Sequence, residues 1–122
     1  MEKYKLGVKE RKFADIIWQN EPVSSRELTE LCAKEFDWKR TTTYTMLKRL
    51  CDRNIFVNNN GTVYSIMRKN EFLTAQGEQF INNSFGGSLP QFVAAFTRRN
   101  KLSDKDIKEM QRLIDAHKEE AE

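Results

Sequence analysis

The residues best suited to specific chemistry lie between positions 39 and 53, where a block of hydroxyl-bearing side chains stands between cations. Five cations stand there against one acid, Asp52: Lys39, Arg40, Lys48, Arg49 and Arg53. The hydroxyl-bearing residues that we single out at the start of the stretch are Thr41, Thr42, Tyr44 and Thr45. Cationic groups bind phosphates, hydroxyls bind phosphates or base edges, and a threonine methyl can contact the methyl of thymine. The stretch therefore predicts sequence-specific binding of double-stranded DNA.

Other kinds of chemistry find little support in the sequence. The single histidine, His117, lies near the C-terminus, and the common catalytic and phosphate-binding motifs are missing. Cys32 and Cys51 have neither disulfide-framework nor metal-ligand spacing. The sequence thus predicts a protein that is not an enzyme and that uses no cofactor and no metal. It also predicts a cytoplasmic protein without membrane insertion, because no apolar run approaches the roughly 20 residues of a membrane span.

The charge is concentrated in the N-terminal half of the 122-residue chain. Residues 1–68 hold 13 Lys and Arg against 9 Asp and Glu, whereas residues 69–122 hold 8 against 9. A basic half joined to a nearly neutral half indicates a module that binds a polyanion and a second module that does not. An ordinary solvated helix face would explain the charge alone equally well.

Three helices are predicted before the middle of the chain. Apolar residues recur at helical spacing over Val8–Asn20, and Pro22 ends that helix. Ser24 followed by Glu27 has the pattern of a capping box that begins a second helix, which runs to about Glu35. A third helix spans about residues 39–53, with several threonines in its first turns although threonine is a mediocre helix former. Such residues favour a face that binds a ligand.

A hairpin follows the third helix. Two β-rich segments flank the run Asn58-Asn59-Asn60-Gly61, and Asn-Gly is a strong hairpin signal since both residues tolerate positive φ. Residues 1–69 therefore predict a winged helix-turn-helix DNA-binding domain, with residues 39–53 in the major groove. We expect the wing, through Asn59 and Asn60, to contact the DNA backbone or minor groove as a minor contributor.

Residues 70–122 carry only helical patterns. Three amphipathic segments follow one another, separated by Gly86-Gly87 and by Asn100-Lys101-Leu102, and Ser103 caps the last one. They cannot readily bury all their apolar faces alone, so they either fold back onto the winged domain or form a helical dimerisation domain. We favour a homodimer. The predicted contact residues are Phe80, Ile81, Phe85, Phe92, Phe96, Ile107, Met110, Leu113 and Ile114. The predicted fold class is mainly α with a small β-hairpin wing.

The chain resembles the penicillinase-repressor family over roughly residues 9–116. The family pattern in the third helix is a Trp, three residues, a Thr, two residues, a Thr, and then Arg-Leu. The residues that fit it are Trp38, Thr42, Thr45, Arg49 and Leu50. The wing at residues 58–61 and features of the later helices also look like this family. Those later features are Phe80-Ile81, Gly86-Gly87, Phe96, Leu102-Ser103 and Ile107.

The resemblance implies a dimeric transcriptional repressor of a β-lactamase or related antibiotic-resistance operon in bacteria. It implies release from DNA when a membrane-bound, penicillin-sensing metalloprotease starts a signal that ends in one cut in the dimerisation domain. Here that cut corresponds to the Ala95–Phe96 bond, in a segment expected to be helical and buried. Well-known members have Arg at the position of Tyr44, which predicts a different base preference. The Cys-x-Cys pairs of the copper-responsive branch are missing from this C-terminus.

Two other functions stay open at this point. A regulator with the same fold could be released by a small molecule instead of by proteolysis. A winged helix could also bind another protein, although such a module would not need the Thr, Lys and Arg surface of the third helix.

Overall fold

The computed structural model describes residues 4–121, which form six helices and three short strands. The helices are α1 (Val8–Asn20), α2 (Ser25–Phe36), α3 (Arg40–Asp52), α4 (Lys69–Ser84), α5 (Leu89–Arg99) and α6 (Asp104–Ala121). The strands are β1 (Val23–Ser24), β2 (Phe56–Asn59) and β3 (Thr62–Ser65). The chain divides into two compact units, the first ending at Gln79 and the second beginning at Phe80. The predicted mainly helical fold with a small hairpin wing is confirmed.

The first unit has a core made by one face of each of its first three helices and by the hairpin. Rings from different elements pack closely, with 5.7 Å between the ring centroids of Phe13 and Trp38 and 5.3 Å between those of Trp18 and Phe56. The fully buried aliphatic side chains include Ile17, Leu28, Leu50, Ile55 and Val63. This core fixes which face of α3 remains outside.

Local signals in the sequence determine how α2 begins and ends. The side chain of Ser24 accepts a hydrogen bond from the backbone N–H of Glu27, as the predicted cap requires. After α2, Asp37 adopts φ 57°, and its N–H donates to the carbonyl of Ala33. This left-handed residue ends the helix, and α3 starts three residues later.

The hairpin forms around a turn shorter than the asparagine run. Strand β2 continues through Asn59, so the two-residue loop is Asn60-Gly61, with φ values of 52° and 91°. Positive φ at both positions is the geometry that matches the twist of paired strands. Strand β1 was not predicted from the sequence, and it pairs antiparallel with β3 through Val23 and Val63. A two-residue strand has no periodicity that could reveal it.

Helix α4 starts within the first unit. The side chain of Phe72 is fully buried there, with ring centroids 5.5 Å from Trp18 and 6.0 Å from Tyr4. The side-chain amide of Gln76 also donates to the carbonyl of Tyr4. The division between residues 69 and 70 drawn from the sequence therefore falls ten residues before the division into compact units, because these long-range contacts hold the first half of α4.

The second unit contains the end of α4, α5 and α6. Phe85, Phe92 and Phe80 form a cluster with ring centroids between 5.4 and 5.9 Å apart, and Phe92 also contacts Phe96. Ser88 and Ser103 cap α5 and α6 by accepting hydrogen bonds from the N–H groups of Gln91 and Asp106. None of the described residues of α5 and α6 is buried. The apolar faces of these two helices are therefore only partly covered within this unit.

Candidate nucleic-acid interface

Helix α3 presents hydroxyls and cations on one side and apolar groups on the other. Thr43, Leu47 and Leu50 are buried in the core of the first unit. The predicted contact residues that remain exposed are Lys39, Arg40, Thr41, Thr42, Tyr44, Thr45, Lys48 and Arg49. The structure thus brings eight of the nine predicted residues of this stretch together, seven on the outer side of α3 and Lys39 at its N-cap.

Tyr44 is held from two directions. Its hydroxyl lies within hydrogen-bonding distance of the Ser25 hydroxyl, with 3.3 Å between the two oxygens, and the guanidinium carbon of Arg40 lies 6.0 Å from its ring centroid. The hydrogen bond with Ser25 is the main cause that lowers the pKa of the Tyr44 hydroxyl, and the Arg40 cation lowers it further. These two contacts favour one orientation of the exposed Tyr44 ring.

The hydroxyl of Thr45 is exposed but already forms a hydrogen bond within the helix. It donates to the carbonyl of Thr41 at 2.9 Å. The hydroxyl hydrogen is consequently already used, and what remains for a ligand is an acceptor oxygen and a methyl group. A methyl group on this face is suited to contact with a thymine methyl.

Two of the predicted cations have partners within the chain: Lys48 forms an ion pair inside α3, and Arg53 contacts residues near the start of α1. Lys48 lies 3.1 Å from Asp52 in an exposed pair, which holds its ammonium only weakly. Arg53 was assigned to the DNA contacts, but its guanidinium donates to the carbonyl of Lys5 at 2.7 Å and lies 3.7 Å from Glu10. With 23% of its side chain exposed, Arg53 links the end of α3 to the start of α1.

The wing lies beside the beginning of α2. The N–H of Ser25 donates to the carbonyl of Gly61 at 2.8 Å, and the side chain of Asn58 accepts from the N–H of Gly61 at 3.0 Å. Asn59 and Asn60 are exposed, as a contact with DNA would require. Ser25, which contacts both the wing turn and Tyr44, is not among the predicted contact residues, because nothing in the local pattern distinguishes it from its neighbour Ser24.

The two cysteines lie within the first unit. Cys32 is buried and Cys51 is partly buried, and burial is the main cause that raises the pKa of both thiols. A raised pKa keeps a thiol protonated at neutral pH, which disfavours both nucleophilic reactivity and metal binding. Among the described residues, no group of three or more potential ligands could hold a metal ion.

The apolar residues assigned to the dimer contact are partly or largely exposed in the single chain. The exposed ones are Phe80, Phe96, Ile107, Leu113 and Ile114, with 44 to 59% of each residue accessible. Ile81, Phe85, Phe92 and Met110 are half-buried. The segment around Ala95–Phe96 is helical as expected, but it is not buried in the single chain, where Ala95 is half-buried and Phe96 is 44% exposed.

A winged helix-turn-helix with hydroxyls and cations on its third helix defines a DNA-binding protein with an attached helical domain. The chain belongs to the penicillinase-repressor family, whose sequence profile, described as "Penicillinase repressor", matches residues 6–116. This is a family of DNA-binding transcriptional regulators and not of enzymes.

Two curated relatives share most of their length with this chain. A penicillinase repressor of Bacillus licheniformis is 23% identical over 107 residues, which cover 84% of each chain. A penicillinase repressor of Staphylococcus aureus is 24% identical over 104 residues, which cover 82% of each chain. Within residues 4–121, no helix has both the length and the hydrophobicity needed to cross a membrane.

Proposed function

We propose that this protein is a cytoplasmic, dimeric repressor that binds operator DNA of an antibiotic-resistance operon, with α3 of each protomer in a major groove. The observation that carries the proposal is the composition of the exposed side of α3, where Thr, Tyr, Lys and Arg stand on a helix anchored by Leu47 and Leu50. The family membership supports the role of a transcriptional repressor.

The proposed DNA contacts fall into two chemical classes, those with phosphates and those with base edges. Lys39, Lys48 and Arg49 are exposed cations that bind phosphates, which sets the position of the helix without reading sequence. Tyr44 and Thr45 lie near the start of α3, the part of a reading helix that reaches base edges. The wing turn offers amides but no Lys or Arg, so its contribution to affinity is small.

The exposed apolar residues of the second unit support the proposed homodimer. Fully burying a side chain such as Phe, Ile or Leu contributes roughly 1.5–3 kcal/mol. Leu113 and Ile114 are more than half exposed in the single chain, so a second copy of the unit supplies the burial that one copy lacks. A two-fold dimer also matches the two half-sites that helix-turn-helix proteins usually bind.

Genomic footprinting of the full-length protein tests the function directly. We expect protected sites with two half-sites whose centres lie about 34–36 Å apart along the duplex, one helical turn or a multiple of it. The genes beside those sites identify the operon. Uniform, unselective occupancy of the genome would contradict operator binding, and the absence of any protected DNA would favour a winged helix that contacts another protein.

Replacing Arg49 by Ala is expected to weaken binding to all DNA sequences alike. If the guanidinium neutralises one phosphate, the slope of log affinity against log salt concentration becomes shallower by about one unit. Titrations of operator and unrelated DNA at several salt concentrations measure this change. Lys118→Ala serves as the control because it removes an exposed cation from the second unit. Loss of affinity for the operator alone would instead make Arg49 a base-reading residue.

Release by proteolysis has a structural basis in α5. Ala95 lines an open groove of about 460 Å³, and Phe96 is 44% exposed in the single chain, so the bond is accessible to a protease in a protomer that is not covered by its dimer partner. A cut at this bond would separate Phe96 and α6 from the winged domain. Because linking two binding sites raises overall affinity by about 10²–10⁴, the severed winged domain would bind as a weak monomer.

After induction with a β-lactam, we expect repressor fragments that end at Ala95 and begin at Phe96. Mass spectrometry of the repressor from induced cells identifies the two new termini, and uninduced cells provide the control. Full-length repressor in cells whose target genes are fully transcribed would contradict this route. It would favour release by a small-molecule ligand.

A further inference from the structure

Arg40 is the first residue of α3, and its guanidinium lies near an aromatic ring of the same helix. The guanidinium carbon is 6.0 Å from the ring centroid of Tyr44, which follows one turn later. The pKa of the Tyr44 hydroxyl is lowered chiefly by its contact with Ser25, and the nearby Arg40 cation contributes to the lowering. Arg40 and Tyr44 therefore lie side by side at the start of the exposed face of α3.

We propose that Arg40 reads guanine in the major groove of the operator, and that the Tyr44 ring is the positioning residue for its guanidinium. The proposal rests on the proposed function, namely that α3 enters the major groove. It adds the base that the start of α3 selects and the pair of residues that selects it.

The chemistry of the guanidinium determines the base. An Arg side chain carries five N–H donors in one plane and no acceptor, so its role does not depend on the position of any hydroxyl hydrogen. Guanine presents two acceptors, O6 and N7, side by side on its major-groove edge. Adenine and thymine each present one acceptor there, and cytosine presents a donor. Among the four bases, only guanine can therefore accept two hydrogen bonds from Arg40.

The position of Arg40 favours a base edge over a phosphate. The start of a reading helix is the part that reaches base edges, and Arg40 lies one turn before Tyr44 on the same face of α3. The first turn of α3 contains no acidic residue that would hold the guanidinium in an ion pair. Lys39, Lys48 and Arg49 remain as exposed cations for the phosphates.

The Tyr44 ring restricts where the guanidinium can be. A cation at about 6 Å from a ring centroid is attracted to the aromatic face. Because the guanidinium has five N–H groups, several remain for guanine even when one is directed to the Tyr44 hydroxyl. The Arg40 side chain consequently loses less conformational freedom on binding than an isolated Arg would.

The test measures binding of the full-length protein to a library in which every operator base pair is varied. We expect the wild-type protein to prefer guanine at one position of each half-site. Arg40→Ala should reduce that preference by roughly 5- to 100-fold, the range of a bidentate base contact, and leave the preferences at the other positions in place.

Tyr44→Leu tests the positioning role, because leucine is apolar but has no aromatic face. It should reduce the preference for guanine at the Arg40 position by about two- to fivefold, as expected for an exposed cation–π contact. Combining it with Arg40→Ala should cause no further loss at that position, since both changes act on the same contact. An unchanged guanine preference in Tyr44→Leu would contradict the role of the ring.

Arg26→Ala is the matched control, because it removes an exposed cation from α2 in the same unit. Its base profile should equal that of the wild type. A wild-type protein that selects no sequence would contradict the proposed function itself. Selective operator binding in which Arg40→Ala weakens all sequences alike would make Arg40 a phosphate contact, and it would overturn this inference alone.

Discussion

Replacing Leu113 by Asp is expected to weaken operator binding by about 10²–10⁴-fold, because it converts a dimer into monomers that each hold one half-site. Leu113 is 53% exposed in the single chain and lies on the same apolar face of α6 as Met110. A carboxylate there costs the single chain little, whereas burial of that charge between two protomers is unfavourable. Sedimentation should show the mass of a monomer at micromolar concentration, and DNA titration should show the loss of affinity.

The matched control for this variant is Gln111→Asp. It introduces the same residue on the same helix about 200° away around the axis, where the side chain is exposed. We expect this control to remain a dimer with nearly unchanged affinity. If Leu113→Asp also remained a dimer and bound the operator as tightly as the control, the apolar face of α6 would not be the dimer contact.

Replacing Phe72 by Ala is expected to lower the free energy of unfolding by about 3–5 kcal/mol. The ring is fully buried between Tyr4 and Trp18, so its removal leaves a cavity that neighbouring rings cannot easily fill. Urea denaturation monitored by tryptophan fluorescence measures the loss, since Trp18 contacts the deleted ring. The variant should remain a dimer at low urea because Phe72 does not belong to the second unit.

Leu73→Ala is the control for the loss of stability in α4. Leu73 is the next residue along the helix and is 38% exposed, so its truncation should destabilise the protein much less than that of Phe72. Equal, small losses in the two variants would contradict the inclusion of the first half of α4 in the core of the first unit.

The bounds of most helices could be predicted from the sequence because their signals are local. The predicted helix Val8–Asn20 is confirmed to the residue, and the caps at Ser24 and Ser103 form as expected. The turn at Asn60-Gly61 adopts the positive φ values that its residue types allow. Each of these features depends on contacts within a few residues, which a short window of sequence contains.

The exposed side of α3 could also be predicted, because helical spacing separates Leu47 and Leu50 from Lys48 and Arg49. The spacing does not say what each exposed side chain contacts. Arg53 has the same chemistry as Arg49, yet its guanidinium bonds to the backbone of Lys5, 48 residues away. Only the folded positions of Lys5 and Glu10 beside the end of α3 determine that difference.

The order of the helices and of the hairpin, the caps and the turn that delimit them, and the basic, hydroxyl-rich face of α3 were all predictable from the sequence. The packing of Phe72 in the core of the first unit, the strand β1 with its pairing to β3, and the contact of Ser25 with Tyr44 appear only in the folded protein. The physical reason is the range of the interactions. Local backbone preferences act between neighbours along the chain, whereas burial and hydrogen bonds between elements depend on which surfaces folding brings together.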